Sequence, residues 1–232
     1  MDRFLRFSDY DVFGYLASGI TSIALCDLTF GTQFVLRESW SISATVAVIL
    51  GGYVIGHVVS GAAAMVIDRG LVRRVLGTPA NLLLRASPTI GWLQRAFLGE
   101  FLEPLHPSLR RRLIKRAGLS VQDANGPDAG ETLFWRAWPS IKREPIPYGR
   151  ADSFLKLYGF CRTMSFVSFI AALIFLSQAV TGYSPTQISD QTHFFWAIGA
   201  GVVSIVMFRR YLRFFRAYSL EVFSTFAEPL SD

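Results

Sequence analysis

The sequence predicts an all-α integral membrane protein: four transmembrane helices with a helical cytoplasmic insert between the second and third. Three observations carry that prediction. Ile42 to Ile67 runs for about 26 residues without a formal charge, His57 being its only ionisable side chain. That exceeds the ~20 residues needed to cross a hydrocarbon core. The composition is 51% hydrophobic with mean hydropathy +0.36, above the apolar share usual for a soluble domain. Finally, the +6 net charge is unevenly spread. Basic residues crowd the amino terminus, the middle of the chain and the tail, and are nearly absent from two short connections.

By the positive-inside rule this places both termini and the middle segment in the cytoplasm of a bacterial-type inner (plasma) membrane. Residues 1–67 form a first hairpin with spans at about 12–30 and 42–67. Residues 68–157 form an Arg-rich helical module. A second hairpin covers 158–208, with spans at about 158–180 and 194–208, and 209–232 is a cytoplasmic amphipathic tail. No small-residue cleavage site follows the first apolar segment, so it reads as a retained signal anchor. The two hairpins point the same way and are not an inverted repeat of the transporter kind.

Met1 to Asp11 reads as a short amphipathic lead-in. In the first span Gly14, Ser18 and Ser22 share one face, and Asp27 interrupts its outer third. The connection 31–41 carries only Arg37 and Glu38, with Trp40 as an interfacial anchor. In the second span Gly52, Gly56, Ser60 and Ala64 repeat every four residues. Such a column lets a neighbouring helix backbone approach closely, which matters in lipid because burial there no longer drives association. It is expected to be the packing spine of a bundle or homo-oligomer.

The insert is punctuated by Pro79, Pro88, Pro104 and Pro107. Ser108 is placed to cap a basic helix ending at Gly118. Asn125-Gly126-Pro127-Asp128 is turn chemistry, and Pro139 to Tyr148 reads as a second break. Arg162 lies just inside the third span, where its side chain can snorkel to the headgroups. The connection 181–193 has no Lys or Arg. The fourth span is short and is expected to borrow length from the tail helix. There Tyr211, Phe215, Tyr218, Val222 and Phe226 recur at helical spacing opposite Arg209, Arg213 and Arg216.

Asp27 and His57 are the ionisable groups inside spans, where charge is costly; they are expected to serve as polar pore or interhelix contacts. Arg110, Arg111, Arg112, Lys115 and Arg116, with Arg209, Arg210 and Arg213, are expected to meet anionic headgroups or another phosphate. Nucleic acid is not expected as a partner. Glu100, Glu103 and His106 form E-x-x-E-x-x-H, but no second copy supplies the remaining ligands of a di-iron bundle. With three His and two scattered Cys, no metal site and no cofactor are expected. Cys26 and Cys161 fall near opposite membrane faces and should not pair. No Walker loop, nucleophile elbow, HExxH or kinase signature appears, so no catalytic residue is assigned.

The run Arg150-Ala-Asp-Ser-Phe-Leu-Lys-Leu-Tyr-Gly-Phe-Cys-Arg162 and the opening Asp9-Tyr-Asp-Val-Phe-Gly14 resemble features of small four-span bacterial inner-membrane proteins. Some of these are similar to membrane effectors of anti-phage defence, which depolarise or permeabilise the membrane when triggered. The resemblance implies no catalytic residue. The expected function is therefore a non-enzymatic, self-associating membrane protein, a pore-forming or membrane-perturbing effector gated by its cytoplasmic module. A proton- or ion-coupled transporter using Asp27 and His57 is the second expectation. An accessory or anchor subunit of a larger complex, with a cytoplasmic partner, is the third.

Overall fold

A computed structural model describes residues 9–85, 98–120, 122–182 and 189–228. Residues 1–8 of the expected lead-in lie outside the described residues, as do Pro88 and residues 183–188 of the 181–193 connection. The described chain is all-helical, without strands. In order come α1 (Asp9–Phe30), α2 (Ile42–Ala63, running on to Leu76), α3 (Pro79–Leu84), α4 (Pro107–Ala117), α5 (Ala129–Ile141), α6 (Pro145–Thr181) and α7 (Asp190–Ala227). Among the described residues, three helical stretches are long and apolar enough to cross a membrane: Ile42–Leu84, Pro145–Thr181 and Asp190–Ala227. The chain divides into two compact units, residues 1–69 with 159–208, and residues 70–158 with 209–232.

The first unit is built inside out compared with a soluble bundle. Val54, Val58, Phe169, Phe195 and Val202 are each more than half exposed, whereas Ser18, Ser60, Ser165, Ser168 and Ser204 are buried. Large side chains thus form the outer surface and small ones let the helices touch, as expected where the surroundings are as apolar as leucine. Between α6 and α7, Ser165 Oγ donates to the Ser204 carbonyl and Ser204 Oγ donates back to the Ser165 carbonyl, both at 3.0 Å. This reciprocal pair satisfies two hydroxyls that have no water to turn to.

The helices are more continuous than expected. Charge at Asp68-Arg69-Gly70 does not end α2. The helix widens to π-type bonding over Ala64–Leu76 and stops at Gly77, whose N–H bonds the Val72 carbonyl at 2.9 Å and whose φ is +84°. The break expected over Pro139–Tyr148 shrinks to three residues, Lys142 to Glu144. Pro139 lies within α5, while Pro145 and Pro147 fall in the first turn of α6, where a missing N–H costs no helical bond. α7 continues from Asp190 straight into the tail.

The second unit has a conventional core. Leu83, Leu113, Leu133, Ile141, Val222 and Phe223 are essentially inaccessible. Tyr211, Val222 and Phe226 of the apolar stripe are buried, and Tyr218 and Phe215 are half-buried. Gly130 lets α5 cross α3 at backbone contact, since a Cβ there would lie 2.2 Å from the Ala80 carbonyl oxygen. α4 starts two residues earlier than expected: Pro107 opens it with His106 as cap residue, and Ser108 Oγ instead meets His106 Nδ1 at 2.8 Å. Its end is as read, with Gly118 left-handed at φ +63° and Leu119 N–H bonding back to Ile114.

Candidate functional site

Besides the Ser165–Ser204 pair, three polar arrangements stand out in the first unit. At the α1–α2 crossing, Gly52, Gly56 and Ser60 are buried on α2, together with Ala63 in place of the half-buried Ala64. A Cβ on Gly56 would come within 1.9 Å of the Tyr15 carbonyl oxygen. On α1 the residue that makes this approach is Gly19, whose Cβ would meet the Gly52 carbonyl oxygen at 1.7 Å. Gly14 faces Phe160 of α6, the Ser18 hydroxyl bonds the Tyr15 carbonyl, and half-buried Ser22 bonds the Ser18 carbonyl. The two glycines of the α2 column are therefore occupied by α1 of the same chain.

Asp27 is buried at 3% exposure and organises the connection that follows it. Oδ1 accepts from Thr32 Oγ1 at 2.5 Å and from the Phe34 N–H at 2.8 Å. Oδ2 accepts from the N–H groups of Val35 at 2.5 Å and Leu36 at 3.0 Å. Gly31 and Gln33 turn through positive φ to bring those donors round. Four donors on two oxygens nearly exhaust the acceptor capacity of a carboxylate, so Asp27 acts here as the anchor of a turn.

His57 is set differently. Its ring is exposed, stacked on Tyr15 with centroids 3.9 Å apart, and edge-on to Tyr53 at 4.7 Å. Asp27 and His57 thus belong to separate groups of contacts, one buried and one at the surface.

The third arrangement was not legible in advance. Arg162 of α6 is buried, with Nη1 2.6 Å from Asp68 Oδ2. Its Nη2 donates to Ser60 Oγ at 3.2 Å and reaches the Ser60 carbonyl at 3.4 Å. The guanidinium therefore turns inward onto α2 instead of snorkelling outward. Partners 94 residues apart in sequence leave no spacing signal.

In the second unit the Arg-rich helix splits by role. Arg110 Nε bonds the Leu84 carbonyl and Nη2 bonds Asn125 Oδ1, both at 2.8 Å. Arg116 lies over the Phe226 ring at 5.3 Å. These two tie the unit together. Arg111, Arg112 and Lys115 remain exposed, as do Arg209, Arg210 and Arg213. The acids of the E-x-x-E-x-x-H run face α7: Glu103 lies 3.7 Å from Arg216, and Glu100 lies 3.7 Å from Arg213. Among the described residues no group of three or more His, Cys, Asp or Glu could hold a metal ion. No disulfide joins Cys26 and Cys161.

No family model matches the chain, and neither the curated proteins nor the solved structures yield a match.

Proposed function

We propose that this chain is a non-enzymatic, self-associating protein of a bacterial-type inner membrane. In this reading four spans anchor an Arg-rich cytoplasmic module, and the chain acts by perturbing or permeabilising the bilayer under that module's control. The observation that supports it best is the inverted first unit, where leucine-sized side chains face outward and hydroxyls face inward. A surface of that kind is stable only against lipid or another apolar chain. α1, whose apolar part Gly14–Phe30 is shorter than the other three helices, would be the fourth span, held in place by its glycine crossing with α2. Exposed Arg111, Arg112 and Lys115 would rest on the anionic inner leaflet, each basic residue contributing on the order of 1 kcal/mol.

The carrier reading gains less support. It needs two titratable groups along one path, and the carboxylate of Asp27 is taken up by four donors of its own connection.

Topology and action are tested together. In a Cys26→Ser, Cys161→Ser background, a membrane-impermeant thiol reagent applied to intact cells should label Ser189→Cys and leave Arg112→Cys unlabelled. Induced expression should collapse the signal of a potential-sensitive dye. Reversed labelling overturns the topology. An unchanged potential, with the chain present in the membrane fraction, overturns the proposed action.

A further inference from the structure

The glycine column of α2 is spent on α1, so self-association needs another face. His57 marks it. The apolar run 42–67 has its midpoint near residue 54 or 55, which puts His57 about 4 Å along the helix from the centre. At that depth the residue is exposed. Around it on α2, Leu50, Val54 and Val58 are 62%, 61% and 69% exposed, and the span containing them is the least covered of the three.

Among the described residues, neither the His57 imidazole nor the hydroxyls of Tyr15 and Tyr53 take part in a hydrogen bond. An imidazole carries at least one N–H donor in every protonation state, and a phenol both donates and accepts. Leaving such groups facing hydrocarbon costs several kcal/mol, because neither lipid tails nor water can satisfy them there.

We propose that this face is the contact between two copies of the chain, with α2 packed against α2 about a two-fold axis and the His57–Tyr15–Tyr53 cluster at its centre. The cluster is self-complementary: it carries both donors and acceptors, so the imidazole of one copy finds a phenol oxygen on the other. A two-fold contact requires that kind of matching, since one patch must serve both sides. Val54 and Val58 flank the cluster and supply the apolar rim. The inference rests on the helices being membrane-embedded and names the surface through which they assemble.

Cross-linking in native membranes tests it. In the Cys26→Ser, Cys161→Ser background, Val54→Cys and Val58→Cys should form disulfide-linked dimers on mild oxidation. Val202→Cys on α7, 55% exposed in its own right, should remain monomeric. His57→Leu should weaken the dimer roughly 3- to 30-fold in nanodiscs, the usual worth of an interhelical hydrogen bond. Equal cross-linking at positions 54, 58 and 202, in a chain that still fractionates with membranes, overturns the interface and leaves the membrane reading standing. Cross-links from Val58→Cys to an unrelated protein in place of a second copy also overturn it. Recovery of the chain in the soluble fraction overturns both.

Discussion

Replacing Gly19 with alanine tests the α1–α2 crossing most directly. The added Cβ would sit 1.7 Å from the Gly52 carbonyl oxygen, 2.6 Å from the Gly52 carbonyl carbon and 2.8 Å from the Gly56 nitrogen. All three are backbone atoms, so no side chain can swing away. To reach even 3.0 Å the helices must part by at least 3.0 − 1.7 = 1.3 Å. A gap of that size forfeits more than a quarter of the dispersion energy of every contact along the seam, roughly 2–4 kcal/mol together. Alanine's better helix propensity returns about 1 kcal/mol, leaving a net loss of about 1–3 kcal/mol. For a chain of this size that lowers the melting temperature by about 3–10 °C, measured on the detergent-solubilised protein. Gly56→Ala, 1.9 Å from the Tyr15 carbonyl oxygen, should behave alike. Gly52→Ala should cost less, since its nearest neighbour is the Ile20 side chain at 3.1 Å. Gly199→Ala meets nothing within 4 Å and should be neutral or slightly stabilising. If Gly19→Ala and Gly199→Ala melt together, the crossing is not where the structure puts it.

The remaining expectations concern polar groups. Asp27→Asn turns an amide NH₂ toward backbone N–H donors of Phe34, Val35 or Leu36, donor against donor, at a cost of about 2 kcal/mol. Limited proteolysis within 31–41 should accelerate; an unchanged cleavage rate would dismiss the turn-anchoring role. Arg162→Leu and Asp68→Leu should each destabilise the first unit by about 1–3 kcal/mol, because each removes the charge 2.6 Å from its partner, the buried Arg162 or the half-buried Asp68. The double variant should lose clearly less than the sum in denaturant titrations, and strict additivity would show the pair to be uncoupled. Arg110→Ala removes bonds to Leu84 and Asn125 and should lower the melting temperature, whereas exposed Arg112→Ala should leave it in place.

What the sequence made legible follows the range of the forces involved. Helical class and three long apolar helices could be read because apolar length is a local property of a continuous run. The two compact units divide at 69/70, 158/159 and 208/209, where basic residues adjoin the apolar runs. Helix ends were harder. Pro145 and Pro147 read as breakers, yet in a first turn they cost nothing. Contacts between elements were least legible. Gly19 lies one residue off the Gly14–Ser18–Ser22 register, and only the crossing geometry decides which residue on α1 meets Gly52. Asp27 was visible as an interruption, but three of its four partners are backbone N–H groups, which every sequence possesses.

The same geometry separates the polar groups of the first unit by whether the chain itself answers them. Asp27 has four donors, Arg162 has Asp68 and Ser60, and Ser165 and Ser204 have each other. Each of these is structural: it holds one stretch of the unit against another, and changing it should first be felt as lost stability. The His57 cluster differs from these, being at the surface, near the middle of the apolar run 42–67, and answered among the described residues only by ring contacts. A group that adds nothing to internal hydrogen bonding and costs free energy in lipid is stable only if something outside the chain compensates it. Substitution at His57 should therefore leave the melting of the isolated monomer nearly unchanged and alter assembly. Substitution at Arg162 should do the reverse. An assembly change from Arg162→Leu with no loss of monomer stability would contradict this division.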